Sequence, residues 1–357
     1  MRTTGYAAQS AQSPLAPWSF ERRELRPNDV AMEILYCGIC HTDLHQARND
    51  WGLSQYPLVP GHEIVGRVTA VGSAVTRHAV GDAVAVGCMV DSCLECDQCR
   101  RGEEQLCRKG NTQTYNGRDR VTGERTYGGY SKHLVVREEF VLRVPAGLDL
   151  ARAAPLLCAG ITTYSPLRTW NAGPGSRIGV LGLGGLGHMA VKLGAALGAS
   201  VTVMSRTADK ADDAARLGAD GFLLTTDRKA MAAAGSRFDL VIDTVPVRHD
   251  VTPYLPLLDV DGTLVIVGLI GPIPETLSMP LLLGRRRIAG SPIGGIAETQ
   301  EMLDFCARAG VLPDCEMITM DGINAAFERM ERADVRYRFV IDMASLADAG
   351  PGVQPTR

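Results

Sequence analysis

The run RIGVLGLGGLG at 177–187 constrains this chain more than any other feature, because it leads from an apolar strand into a helix through glycines. Gly182 allows a tight turn, Gly184 lets backbone approach a pyrophosphate, and Gly187 lets helix pack closely on strand, with Gly185 and Leu186 completing the turn. The start of the helix HMAVKLGAALG then presents free N–H groups and a partial positive charge to phosphates. A glycine-rich turn alone is weak evidence. Here the strand SVTVMS follows the helix, and FLLT, FDLVIDTV and GTLVIVG continue the alternation, which predicts α/β architecture with a doubly wound parallel sheet.

The end of the second strand selects between dinucleotides. A site for NAD puts an acidic side chain there to bind the ribose 2′-hydroxyl. This chain has Ser205 and Arg206, with Lys210 one turn later and no carboxylate at the strand tip. A hydroxyl and two cations suit a 2′-phosphate, so NADP(H) is expected. The bland alternative is a solvated basic helix start, since exposed Arg and Lys are common.

Upstream, 29–150 reads differently. Short apolar runs (VAMEILYCGIC, HEIVGRVTAVG, AVGDAVAVG, SKHLVV, FVLRVP) are separated by Gly and Pro, which predicts a β-rich, barrel-like domain. A length of 357 residues accommodates two domains, each with its own core. Near the C-terminus, ETQEMLDFCARAG and INAAFERMER read as amphipathic helices and RYRFVIDM as a strand returning to the first domain. The tail after 345 is small and polar and is expected to fray.

Four of the ten cysteines, Cys93, Cys96, Cys99 and Cys107, fall within fifteen residues of a loop. Four thiolates saturate a tetrahedral zinc and leave no open position, as in a structural site. An iron–sulfur cluster would use the same ligand set. The N-terminus lacks an apolar signal core, and no apolar run approaches the ~20 residues of a membrane span, so a cytoplasmic protein is expected. The net charge of −3 and 5% aromatic content give no reason to expect nucleic acid or a membrane surface as partner.

The remaining candidate chemistry is dispersed: CHTDLH at 40–45, GHE at 61–63, and Cys158 in APLLCAGITTY. Each alone is unremarkable, since a lone Cys is more often a buried apolar residue. Together with YPLVPGHEIVG at 56–66, CLECDQCRRGEEQLC at 93–107, GGYSKH at 128–133, LLCAGITTYSPL at 156–167, GLGGLG at 182–187 and VRYRFVID at 335–342, they carry a resemblance. The chain resembles the zinc-containing medium-chain alcohol dehydrogenases, and within them the cinnamyl-alcohol-dehydrogenase-like, NADP-dependent aldehyde reductases.

That resemblance implies a GroES-like catalytic domain over 1–152 and 293–357 and a Rossmann domain over 153–292. It implies two Zn2+ per chain: Cys40, His62 and Cys158 holding a catalytic ion, with Glu63 beside it as neighbour or alternate ligand, and the four-cysteine loop holding the other. Asp43 would fix the tautomer of His62. Thr42 would take the alcohol proton and His45 would pass it to solvent. Trp51, in a DWG segment, would line the substrate channel, although ordinary packing explains it as well. His78, His133, His188 and His249 match no constellation and receive no role.

The expected activity is hydride transfer between NADP(H) and a small primary alcohol or aldehyde, aromatic or medium-chain, with reduction favoured. An NAD-using sugar or polyol dehydrogenase of the same fold and a non-enzymatic NADPH-binding relative are the competing readings. The absence of an acid at position 205 and the intact Cys40, His62 and Cys158 argue against them. In relatives, a strand within GTLVIVGLIGPIPETLSMPLLLGRRRIAG lies at a sheet edge and pairs with a second subunit, so a homodimer is expected.

Overall fold

A computed structural model describes residues 1–346; the end of the polar tail, from 347 on, lies outside them. The chain forms two compact units, one comprising Met1–Cys158 and the segment from Gly295 on, the other Ala159–Gly294.

The first unit is built on a seven-stranded sheet. Its order is Cys315–Thr319, Arg338–Asp342, Asp29–Ile39, Ile64–Val71, Ala83–Val86 and Leu142–Arg143, with His133–Arg137 also paired to Asp29–Ile39. The central strand, DVAMEILYCGI, is nearly continuously apolar and mostly buried, as a strand covered on both faces should be. Register shifts opposite Ile64–Val71, between Ala31 and Met32 and between Ile34 and Tyr36, mark irregularities that bend such a pair. The helices expected near the C-terminus are present as Ile296–Ala309 and Ile323–Glu331, and Arg338–Asp342 pairs antiparallel with the central strand.

This sheet positions two separated sequence segments. Cys37 pairs with Ile64 in the antiparallel register, so the end of one strand, running into Cys40, meets the approach to the next, His62 and Glu63. The Gly38 N–H donates to the Glu63 carbonyl at 2.9 Å. A Cβ on Gly38 would lie 1.9 Å from a Glu63 carboxylate oxygen, so the buried acid requires glycine there.

The second unit holds a six-stranded, wholly parallel sheet in the order Gly221–Leu224, Ser200–Ser205, Arg177–Leu181, Phe238–Asp243, Leu258–Ile266, Arg287–Gly290. The chain builds outward from Arg177–Leu181 on one side, then crosses to Phe238–Asp243 and builds the other way. Order therefore reverses between those two strands, the position where doubly wound sheets bind ligands. Leu181, Met204, Phe238, Val241 and Leu264 fill its core. Among the described residues, no helix is long and apolar enough to cross a membrane.

Candidate functional site

Two groups of side chains in the first unit could each hold a metal ion. In one, ligand atoms of Cys40, His62, Glu63 and Cys158 lie within 4.8 Å of one another, and all four residues are buried. Cys40 caps the helix His41–Ala47, and Cys158 follows the short 3-10 turn Ala154–Leu157. Their sulfurs stand 3.8 Å apart. The hydrogen bond from Cys158 holds the Cys40 pKa well below the thiol range and pushes the Cys158 pKa the other way. Two sulfurs this close disfavour ionising together, and a cation between them is what would let both do so.

Asp43 organises this cluster. It is fully buried in the first turn of its helix. One oxygen accepts the N–H of Cys40 at 2.9 Å and the Tyr130 hydroxyl at 3.1 Å. The other accepts the Gly61 N–H at 3.0 Å and lies 3.0 Å from His62 Nδ1. A carboxylate can only accept, so Nδ1 carries the hydrogen and Nε2 is left as a donor to metal. Burial opposes a charge on His62, yet the fields of Asp43 and Cys88 outweigh it and hold its pKa well above the usual value.

Glu63 is paired through one oxygen with Arg338, and both side chains are buried. Burial raises the Glu63 pKa, and Arg338 offsets part of the rise. The second carboxylate oxygen has no hydrogen-bond partner. An orphaned acceptor beside two sulfurs and a preset imidazole is a donor set that fits a divalent cation such as zinc.

In the other group, the sulfurs of Cys93, Cys96, Cys99 and Cys107 also lie within 4.8 Å of one another. The N–H groups of Cys93, Cys96 and Arg108 point at Cys107, Cys93 and Cys96 sulfurs respectively, each at 3.4 Å. Backbone N–H groups from Cys99 and Arg108 lower the Cys96 pKa to about 6, while burial lifts Cys99 to about 12. Sulfurs packed this closely need a central cation once several are thiolates, and four of them fit a closed tetrahedral zinc.

Thr42 and His45 lie one turn apart on the helix His41–Ala47. His45 Nδ1 is 2.7 Å from Asp50 Oδ2, and about a third of the His45 side chain (32%) is exposed. Trp51 lies against the same ring, 5.4 Å between centroids. Tyr115 packs 5.8 Å from the His62 ring, with its hydroxyl buried and unpartnered.

Sequence motifs assign no role to Arg338, Tyr130, Tyr115, Cys88 or Asp50. Arg338 alone left a local signal, an arginine inside the apolar run RFVID.

In the second unit, Gly182 has φ +89°, a left-handed conformation that favours glycine. A Cβ on Gly187 would lie 2.2 Å from the Gly182 carbonyl oxygen, whereas one on Gly184 would meet nothing within 4 Å. The turn is closed on itself at one glycine and open at another, which leaves room for a phosphate against the backbone ahead of helix Gly187–Ala196. Ser205 ends its strand half-buried, Arg206 is exposed, and half-buried Lys210 follows at the end of a 3-10 turn.

Comparison with known proteins agrees with both units. Residues 26–146 match the model of the alcohol dehydrogenase GroES-like domain, and 185–308 match that of the zinc-binding dehydrogenases. The NADP-dependent alcohol dehydrogenase C 1 of Mycolicibacterium smegmatis is 55% identical over 344 residues, 96% of this chain and 98% of that one. The aldehyde reductase YahK of Escherichia coli is 51% identical over 354 residues, covering 98% and 100%. Among solved structures, a cinnamyl alcohol dehydrogenase from Sorghum bicolor is 47% identical with a TM-score of 0.94, covering 98% of this chain and 100% of that one.

Proposed function

Since the chain belongs to the zinc-binding dehydrogenases that carry an alcohol dehydrogenase GroES-like domain, we propose that it transfers hydride between NADP(H) and a primary alcohol or its aldehyde, with reduction the favoured direction. The observation that carries this reading is the buried set of Cys40, His62 and Cys158, with His62 already oriented by Asp43. Three protein ligands of this type leave a fourth position for substrate.

Zinc held there would supply Lewis acidity, drawing charge from a carbonyl oxygen. The nicotinamide would supply the hydride that the carbonyl carbon receives. The chain itself handles the proton. In reduction the carbonyl oxygen gains one proton, and the Thr42 hydroxyl is the group assigned to deliver it. His45 replenishes that proton from solvent: its ring is partly exposed, and Asp50 keeps one nitrogen engaged. Glu63, anchored by Arg338, is a neighbour of the ligands that can turn its unpartnered oxygen to the ion. Cys93, Cys96, Cys99 and Cys107 would hold a second, structural zinc.

Ser205, Arg206 and Lys210 are assigned to the 2′-phosphate, and the turn 182–187 to the pyrophosphate. Trp51, beside His45, is assigned to the substrate wall, which favours aromatic or medium-chain aldehydes over sugars. A cytoplasmic homodimer fits this reading. The edge strand Arg287–Gly290 has an unpaired side, and Leu269, Leu277, Met279, Leu282 and Leu283 nearby in the chain are all exposed.

The test is NADPH oxidation over aldehydes of graded size, run against NADH, with metal content measured on the same sample. Two zincs per chain and NADPH-dependent turnover are expected; one zinc or none, or no turnover of any aldehyde, would refute it.

A further inference from the structure

A continuous set of contacts links the carboxyl ends of four neighbouring strands in the second unit. The Thr225 N–H donates to the Ser205 carbonyl at 2.8 Å, and the Thr225 side chain is close enough to the Tyr254 phenol to favour its ionised form. The Tyr254 ring meets His249 edge-on, 6.4 Å between centroids. His249 Nε2 lies 3.0 Å from Asp243 Oδ2. Next to Asp243, the Thr244 hydroxyl donates to the Leu181 carbonyl at 2.8 Å, at the entrance to the glycine-rich turn. The set thus runs from the strand end assigned to the 2′-phosphate to the turn assigned to the pyrophosphate.

Asp243 is its most constrained member. It ends the strand Phe238–Asp243, beside the reversal of strand order, and is fully buried. One of its oxygens accepts the Val245 N–H at 3.1 Å. The other has no aligned hydrogen bond, and among the described residues only His249 is within ion-pair reach of it. A buried carboxylate without a countercharge is costly, because nothing replaces the solvation it has lost. Burial accordingly raises the Asp243 pKa, and His249 offsets part of that rise.

The orientation of His249 is also set. Its Nδ1 lies 2.9 Å from the Val247 carbonyl, which can only accept, so Nδ1 carries a hydrogen and Nε2 is the nitrogen turned to Asp243. One imidazole therefore ties the backbone of its own loop to the strand end. That loop walls the cofactor turn: a side chain on Gly182 would meet Thr244 Oγ1 at 3.1 Å and Val245 Cγ2 at 3.4 Å.

We propose that His249, anchored on Asp243, is a positioning residue for the dinucleotide, holding the 244–249 loop against the glycine-rich turn so that the site is formed before NADP(H) arrives. A loop held in its bound conformation spares the ordering cost on binding, so its loss appears as weaker affinity and not as slower chemistry. The inference rests on the NADP reading above.

NADPH binding to the zinc-loaded full chain, followed by nicotinamide fluorescence, tests it with His249→Ala, His249→Gln and Asp243→Asn. The His249→Ala variant is expected to bind NADPH about tenfold more weakly, as the loss of one ion-pair contact to a buried carboxylate would give. Glutamine, whose amide can donate to the carboxylate, restores most of the affinity. Zinc content, the KM for aldehyde and kcat at saturating NADPH stay near wild type. An affinity for NADPH in His249→Ala within about twofold of wild type, a difference below 0.5 kcal/mol, overturns the proposal. A lowered melting temperature with unchanged affinity overturns it equally, because a purely structural pair would behave that way. Should His249→Ala fail to fold, Asp243→Asn decides, with weaker NADPH binding expected and unchanged affinity refuting. Failure of the wild-type protein to bind NADPH at all would instead sink the cofactor reading beneath it.

Discussion

Asp43 Oδ1 stands 3.0 Å from His62 Nδ1, and this contact determines which imidazole nitrogen faces the two thiols. Asp43→Asn keeps the shape but removes the charge and puts an N–H where one of the four donors now points. Zinc affinity at the Cys40 cluster is expected to fall about 10- to 100-fold, the usual effect of losing the partner that orients a metal-bound histidine. Competition with a chromophoric chelator measures it. Unchanged affinity would mean that the ring is oriented by packing alone.

The two clusters should separate by metal count. His62→Ala is expected to leave one zinc per chain and no turnover, with a melting temperature near that of the wild type, because the remaining ion would be the one assigned to the closed four-cysteine loop. Cys99→Ser should also leave one zinc but should chiefly lower stability, since a structural site contributes directly to folding. Elemental analysis with thermal unfolding distinguishes them. Two zincs bound by either variant would invalidate the proposed ligand assignment.

Arg338 is the only side chain that hydrogen-bonds the Glu63 carboxylate among the described residues, and neither partner reaches solvent appreciably. Breaking such a pair from one side leaves an uncompensated buried charge, at a cost of about 3–5 kcal/mol. Arg338→Met should therefore destabilise the fold by that order in urea denaturation, and adding Glu63→Gln should recover part of the loss. If the double variant is no more stable than Arg338→Met, the pair is not what holds this end of the sheet.

Asp119 supports an acid-limb prediction away from either cluster. Burial raises its pKa, but hydrogen bonds from Arg26 and from the Thr122 and Val121 N–H groups prevail and hold it below the ordinary aspartate value. A folded-state pKa below the unfolded one contributes stability that is present above the unfolded value and lost as pH falls through the folded one. Asp119→Asn should therefore cost about 1 kcal/mol near neutrality and less toward the acid end, where the wild type has begun to lose the same contribution. Denaturant midpoints across the acid range measure the convergence; parallel curves would count against it.

What could be read from the residues was chemistry concentrated in short runs. The turn 182–187 and the cysteines at 93–107 declare themselves because their partners are close in the chain, and Cys40, His62 and Cys158 emerged only through a resemblance spanning all three segments. Arg338 and Glu63 are 275 positions apart, and nothing periodic in either neighbourhood points to the other. Tyr130 reaches Asp43 across 87 positions in the same way. His249 lies six residues from Asp243 yet in irregular backbone, where spacing does not tell which side chains face each other. Periodicity reports which face of an element is buried; it does not report which buried polar groups meet once the sheets have formed.

Ser205 offers the sharpest test of cofactor choice. It closes the strand Ser200–Ser205, its carbonyl is tied to Thr225 N–H, and Arg206 beside it is exposed. Placing a carboxylate there by Ser205→Asp sets a negative charge where a 2′-phosphate would lie and offers an acceptor to an unphosphorylated ribose. Two like charges about 4 Å apart at a protein surface repel by up to roughly 4 kcal/mol, so even a fraction of that changes the preference more than tenfold. The ratio of kcat/KM for NADPH to that for NADH should invert, the penalty against NADPH should shrink as ionic strength rises, and Ser205→Ala should shift the ratio far less. If the aspartate variant kept the wild-type ratio, the 2′-phosphate would have to lie elsewhere than at this strand end.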